Sequence, residues 1–308
     1  MKISVVISAY NEEKIIEDCL KSVKFADEII FLDNSSTDGT AKIAEKYTSK
    51  IFKQDNNPFS IDLQKNIGFE KAKNEWILSI DADERVSPEL REEIGEILDE
   101  KPSAISHPPA GEAGQPSADI NGYLIPRKNI IFGKWIQHTG WYPDPQLRLF
   151  KKGKGRFEEK YVHAPLNLQG EAEQLKNHII HENYQNIEQF VQKTTAYARN
   201  EASRKIEEGY LFSPIDAIRF PFNEFLSRFF AREGYKDGLY GFMLSMLMAF
   251  YHFLVFSFIW EKNNFKQVEE NDFTEKFNKE IKTVVKDLNF WVKGKKGKSL
   301  FKKIFNKF

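Results

Sequence analysis

Residues 3–9, ISVVISA, form an unbroken apolar, largely β-branched run, the pattern of a parallel strand with both faces covered. In the next segment, NEEKIIEDCLKSV, the period changes. Ile15, Ile16, Leu20 and Val23 recur at helical spacing, with Asn11 as candidate N-cap and acidic residues in the first turn. EIIFLD reads as a second strand, NSSTDGT as a polar turn and TAKIAEKY as a helix. A third strand is expected near residues 50–52, a helix over 62–73 and an apolar strand in EWILSIDADE. Strand and helix alternate throughout this stretch, which predicts an open α/β sheet whose ligands bind beyond the carboxyl ends of the strands. Tyr10 and Asn11, Asp33 and Asn34, and Asp81 and Asp83 all fall at those ends.

Further along, the stretch 101–121 is rich in Pro, Gly, Ala and Ser and has no apolar period, so a flexible insertion is expected. GYLIPRKNIIFGKWI reads as two strands joined near Asn129, and LRLFKKGKGRF as a strand entering a glycine-containing turn. Helical spacing returns over 187–208, and residues 239–260 carry no charged side chain. The expected organisation is a catalytic domain over 1–210 and a helical, membrane-associated region over 211–308.

Composition changes this picture only locally. Basic and acidic residues balance at 45 each, which removes the global field expected of a nucleic-acid binder. Cys19 is the only cysteine, excluding a disulfide framework or a cysteine-rich metal site and fitting a reducing compartment. The apolar stretch at the N-terminus is too brief for a secretory signal. Of the 308 residues 27 are Phe, many of them crowded in the last third, a bias that suits lipid. A helix of 22 uncharged residues at about 1.5 Å per residue is long enough to span a membrane. Yet Gly241, Ser245, Ala249 and His252 share one stripe suited to packing on protein. Seven lysines lie among the last sixteen residues, interspersed with Leu300, Phe301, Ile304, Phe305 and Phe308, a pattern that suits an anionic leaflet. Peripheral or monotopic attachment at the cytoplasmic face is expected.

The sharpest chemical feature is Asp81-Ala82-Asp83 where a buried strand emerges. Two carboxylates one residue apart suit Mg²⁺ or Mn²⁺ with positions left open for phosphate oxygens, whereas a solvated turn is the plainer meaning of an isolated DxD.

Four segments, SVVISAYNEE, FLDNSSTDGT, QKNIGFEKAKNEWILSIDADE and YPDPQLRLF, together resemble the family 2 glycosyltransferases, and within them the bacterial lipopolysaccharide-core β-glucosyltransferases. The similarity covers about residues 1–200. It implies a GT-A fold, a mostly parallel sheet flanked by helices. It also implies that Ala9, Tyr10 and Asn11 line the nucleoside pocket and that Asp33 contacts the base or ribose. Lys65 stands where the family often has Arg, so a charge is kept but the fork is lost. Asp81 is implied on the ribose side and Asp83 as the metal ligand, with Asp81 and His163 as further candidate ligands. Glu84 is expected either to support the metal or to cap the following helix. Asp144 resembles the position of the catalytic base, with Gln146 and Arg148 on the same side of an extended chain to orient acceptor or diphosphate. Arg148 is equally suited to a structural ion pair. His163 resembles a recurring histidine, although Ala164 follows it where Glu is usual, and His181 is expected to hydrogen-bond within the fold.

The resemblance thus implies an inverting transfer from a nucleotide-sugar, a UDP-sugar first, to a cell-envelope glycan or glycolipid. A polyprenyl-phosphate acceptor is an alternative within the fold. A sugar nucleotidyltransferase would call for a glycine-rich basic loop after the first strand, which AYNEE does not provide. An inactive sugar-binding scaffold draws on Lys65 and Ala164, against the retained Asp33, Asp81, Asp83 and Asp144.

Overall fold

The computed structural model describes residues 2–57, 61–99, 120–158 and 165–293. β1 (Ile3–Ala9), α1 (Ile16–Ser22), β2 (Glu28–Asp33), α2 (Thr40–Ala44), β3 (Ile51–Lys53), α3 (Ile61–Lys71) and β4 (Trp76–Asp81) alternate as predicted. β5 (Glu84–Val86) and α4 (Pro88–Asp99) follow, then β6 (Ile120–Ile125), β7 (Arg127–Ile131), β8 (Lys134–Trp135) and β9 (Gln146–Lys151). β10 (Gly155–Arg156), β11 (Asn167–Leu168), β12 (Glu171–Gln174) and β13 (Ile179–Tyr184) complete the strands; α5 (Ile187–Glu207), α6 (Asp216–Leu226), α7 (Leu239–Lys262) and α8 (Glu270–Lys293) complete the helices.

The main sheet runs β12-β6-β9-β4-β1-β2-β3. Its β4-β1-β2-β3 half is parallel, and β9 enters antiparallel to both β4 and β6. All seven residues of β1 are buried because helices cover both faces. The two-residue period of a strand sends Ile3, Val5 and Ile7 toward Ile16, Cys19 and Leu20 of α1, while Val6 packs with Phe69 of α3 and with Ala72 just beyond it. Each such side chain contributes about 1.5–3 kcal/mol on burial. Gly68 lets α3 approach closely, since a Cβ there would lie 2.4 Å from Val6 Cγ1.

A second sheet, β5-β13-β7-β8, lies within the same unit. The chain passes from one sheet to the other at Pro126, between β6 and β7, so the junction expected near Asn129 falls three residues earlier. Proline has no N–H for a ladder, which ends pairing there and leaves Asn129 inside β7.

Two other expectations are corrected. Asn11 does not cap α1: its φ is +54°, its Oδ1 accepts from Thr37 N at 2.8 Å, and the helix begins at Ile16. The contacts divide the chain at Tyr184 rather than near 210, into one unit of Met1–Trp135 with Tyr142–Tyr184 and another of Ile136–Trp141 with Gln185–Phe308. The reason is α5, which buries Ala198 and Ala202 against Val255 and Ile259 of α7. Most of the expected insertion over 101–121 lies outside the described residues, as does the lysine-rich tail beyond 293.

In the second unit α7 has two unlike sides. Gly241, Ser245 and Ala249 are buried as the stripe predicts, and Gly241 meets the backbone of Gly234 so closely that a Cβ would lie 1.7 Å from its carbonyl oxygen. Half-buried His252 lies 3.6 Å from Glu224. The other side exposes Phe242, Met246, Phe250 and Phe253. Among the described residues α7 alone is long and apolar enough to cross a membrane.

Candidate active site

Parallel register sets the carboxyl ends of three strands level, with Ala9 opposite Asp33 and Ser8 opposite Asp81. Ala9 is buried, whereas the Tyr10 ring beside it is 42% exposed, an accessible aromatic face at the mouth of the sheet. Asp33 is buried and its Oδ1 accepts from Ser36 N at 3.1 Å, so this carboxylate also shapes the β2 turn. Asn34 donates to Ser8 Oγ at 3.0 Å and ties the first two strand ends together.

Where β4 ends, the charges interlock. Lys65 Nζ lies 2.6 Å from Asp81 Oδ1 and 2.9 Å from Asp62 Oδ1. Arg148, rising from β9, donates to Asp81 Oδ2 at 2.5 Å and to Glu84 Oε1 at 2.7 Å. The other Glu84 oxygen accepts from the Asp81 N–H at 2.9 Å. Burial works against ionisation of Asp81, but Arg148 and Lys65 overcome it and hold the carboxyl well below the usual carboxylate range. Lys65 is likewise held above its usual value: burial opposes the ammonium, and Asp81 and Asp62 outweigh burial. Arg148 is raised by Asp81 and Glu84 against its own desolvation. Glu84, with no exposed surface, is therefore neither a helix cap nor directed to solvent; it is the buried counter-ion of Arg148.

Asp144 joins this cluster through Arg127, which lies 2.6 Å from Asp144 Oδ2 and 3.7 Å from Glu84 Oε1. Its φ of +43° takes it out of the extended chain, and β9 begins only at Gln146, so the expected common side of Asp144, Gln146 and Arg148 does not form. Gln146 Nε2 reaches Asp144 Oδ1 at 3.3 Å, while Arg148 turns to Asp81 and Glu84. Arg127 donates twice to Asp144 Oδ2, from Nε at 3.0 Å and from a terminal nitrogen at 2.6 Å, and Asn129 Nδ2 adds a third bond at 3.1 Å.

His181 completes the site. Its Nε2 lies 3.4 Å from Asp83 Oδ2, and its Nδ1 lies 2.7 Å from Asn129 Oδ1. Strand pairing explains the grouping, since His181 stands opposite both Asn129 on β7 and Glu84 on β5. Arg127 and Asn129, two residues apart on β7, share a face with His181. The sequence reading missed Arg127 and Asn129 and gave His181 only a structural role; polar residues alternating in RKN were the one local signal. His163 lies outside the described residues.

Three cations, Lys65, Arg127 and Arg148, face five carboxylates, Asp62, Asp81, Asp83, Glu84 and Asp144. Asp83 and His181 place one oxygen and one nitrogen 3.4 Å apart at the edge of this cluster. Among the described residues no three or more His, Cys, Asp or Glu side chains are arranged so that they could hold a metal ion by themselves. Asp83 and His181 could hold a divalent cation only together with further ligands, such as the phosphate oxygens that Mg²⁺ and Mn²⁺ commonly bind. Both Asp81 oxygens already face cations, which argues for Asp83 over Asp81 as ligand.

Acidic residues gathered at the carboxyl edge of an α/β sheet stand where ligands of such sheets bind. Residues 4–154 match the family described as glycosyl transferase family 2. An uncharacterized glycosyltransferase of Rickettsia bellii is 30% identical over 264 residues, covering 82% of this chain and 84% of that one. The lipopolysaccharide core biosynthesis glycosyltransferase LpsC of Rhizobium meliloti is 25% identical over 273 residues, covering 86% and 94%. Among solved structures, residues 1–349 of Staphylococcus aureus TarS in complex with UDP-GlcNAc align over 87% of this chain and 93% of that one, at 15% identity and a TM-score of 0.43. The chain belongs to glycosyl transferase family 2, has the GT-A fold and is a glycosyltransferase.

Proposed function

We propose that this glycosyltransferase moves a sugar from a UDP-sugar to a cell-envelope glycan or glycolipid with inversion at the anomeric carbon. The observation that carries this reading is the convergence of Asp33, Asp81 and Asp83 at level strand ends with Asp144 on the same unit. The exposed Tyr10 ring takes the base, and Asp33 and Asn11 border the nucleoside. Asp83 and His181 would hold Mn²⁺ or Mg²⁺, which when bound would supply positive charge toward the departing diphosphate. Lys65 and Arg148 keep Asp81 ionised and fixed beside that site.

Asp144 acts as the base. Arg127 and Asn129 occupy Oδ2, leaving Oδ1, near Gln146, to take the acceptor proton. The acceptor oxygen attacks the anomeric carbon, the bond to the diphosphate breaks, and UDP leaves with the electron pair. LpsC, a relative that builds a lipopolysaccharide core, supports a glycolipid acceptor. The two-sided α7 supports monotopic attachment at the cytoplasmic face, its apolar side in the leaflet and the lysine-rich tail against anionic headgroups.

Metal-dependent hydrolysis across a panel of UDP-sugars tests the donor, and Asp144→Asn tests the base. The expected result is a fall in kcat of about 10²–10⁴-fold with UDP affinity unchanged. Full transfer activity in Asp144→Asn would remove Asp144 from the role.

A further inference from the structure

Asn129 is fully buried and touches both halves of the site just described. Its amide lies between Asp144 on one side and His181 and Asn183 on the other. The chemistry of those neighbours fixes which way the amide points. An ionised carboxylate only accepts, so the Asn129 atom 3.1 Å from Asp144 Oδ2 is the Nδ2 donor. The remaining atom is then Oδ1, which only accepts, and Asn183 Nδ2 donates to it at 3.1 Å. His181 Nδ1, 2.7 Å from the same oxygen, must therefore carry its proton and donate.

One consequence reaches the far side of the ring. With the proton on Nδ1, a neutral His181 has its lone pair on Nε2, which faces Asp83 Oδ2 at 3.4 Å. An imidazole whose other nitrogen is held by a hydrogen bond is the usual form of a metal-bound histidine. The same amide, through its opposite end, adds a third bond to the Asp144 oxygen that Arg127 already holds.

We infer that Asn129 is a positioning residue that couples the two halves of the reaction: its carbonyl oxygen selects the Nδ1–H tautomer of His181 on the donor side, and its amide nitrogen orients Asp144 on the acceptor side. The inference rests on the proposed roles of Asp83, His181 and Asp144. It gives the two ends of one side chain separable effects. Asn129→Leu removes both; Asn129→Asp keeps an oxygen for His181 Nδ1–H but loses the donor to Asp144.

Two measurements test this. In the intact metal-free protein, ring ¹⁵N shifts of His181 at a pH where the ring is neutral are expected to show a protonated Nδ1 and a bare Nε2; a proton on Nε2 overturns the inference without any variant having to fold. Calorimetric titration of UDP in the presence of Mn²⁺ is expected to show a ten- to hundredfold weakening in Asn129→Leu and a change under about threefold in Asn129→Asp. The Asp variant is expected to lose kcat rather than donor KM. Equal loss of affinity in both variants, or none in either, contradicts the coupling. Asp83→Ala separates the two levels: if that variant binds UDP as well as the parent does, the donor-site reading itself fails, whereas loss in Asp83→Ala with none in Asn129→Leu removes only the role of Asn129.

Discussion

Arg148 shows how much one side chain holds in place. Its guanidinium bridges Asp81, which emerges from β4, and Glu84, which has no exposed surface, so removing it takes the nearer cation from a buried carboxylate and leaves Arg127 at 3.7 Å. Breaking a buried pair from one side costs about 3–5 kcal/mol, and Arg148→Met is expected to lower stability by that much in urea unfolding. Arg156→Met is the matched control. Its partner, Glu70, is exposed, and the change should stay under about 1 kcal/mol. A cost for Arg148→Met no larger than that of the control would reduce Arg148 to a surface-like pair. At this scale the chain's motifs were partly legible. Asp81 and Asp83 stood out because acids after an apolar strand are conspicuous, and Asp144 stood out only through the resemblance carried by YPDPQLRLF. Arg127 and Asn129 did not, because their meaning comes from pairing of β7 with β13, some fifty residues away, and from Asp144 leaving the extended conformation at φ +43°.

At the scale of elements, β1, β2 and β4 were legible since full burial leaves an unbroken apolar signature, and their level ends followed from parallel pairing. The exchange between sheets at Pro126 was not, because a proline alone does not say which sheet its neighbours join. The opposite end of β2 carries a separate anchor. Glu28 is buried and accepts from Ser4 Oγ at 2.5 Å and Lys73 N at 2.8 Å, with Lys50 as its ion-pair partner. Burial raises its pKa, yet Lys50, Ser4 and the Lys73 amide together bring it below the usual value. A carboxyl depressed in the folded state stabilises fully above its unfolded value and loses that contribution as pH falls through its folded one. Glu28→Gln is therefore expected to cost about 1–3 kcal/mol at pH 7, with the difference from the parent shrinking below about pH 4.3 in denaturation measured across pH. A difference that holds constant down to acid pH would mean that the charge of Glu28 contributes nothing.

For the whole molecule, balanced charge leaves no global field, so the proposed membrane attachment depends on local surface. α7 buries Gly241, Ser245 and Ala249 within its own unit and presents Phe242, Met246, Phe250 and Phe253 outward, and the proposed interfacial attachment rests on that two-sided pattern. Phe250→Glu with Phe253→Glu is expected to release the protein from vesicles containing anionic lipid in a flotation assay while leaving UDP binding intact, because both residues belong to the second unit. Unchanged flotation would take α7 out of the attachment. The apolar run was visible in sequence, but only packing distinguishes its two sides.

The most direct test of the account is calorimetric titration of UDP into the intact protein with Mn²⁺, with chelator, and with Mn²⁺ on Asp83→Ala. The account predicts binding with Mn²⁺ and a loss of at least about tenfold in affinity in each of the other two conditions. Equal affinity in all three would contradict a metal-assisted donor site at the end of β4.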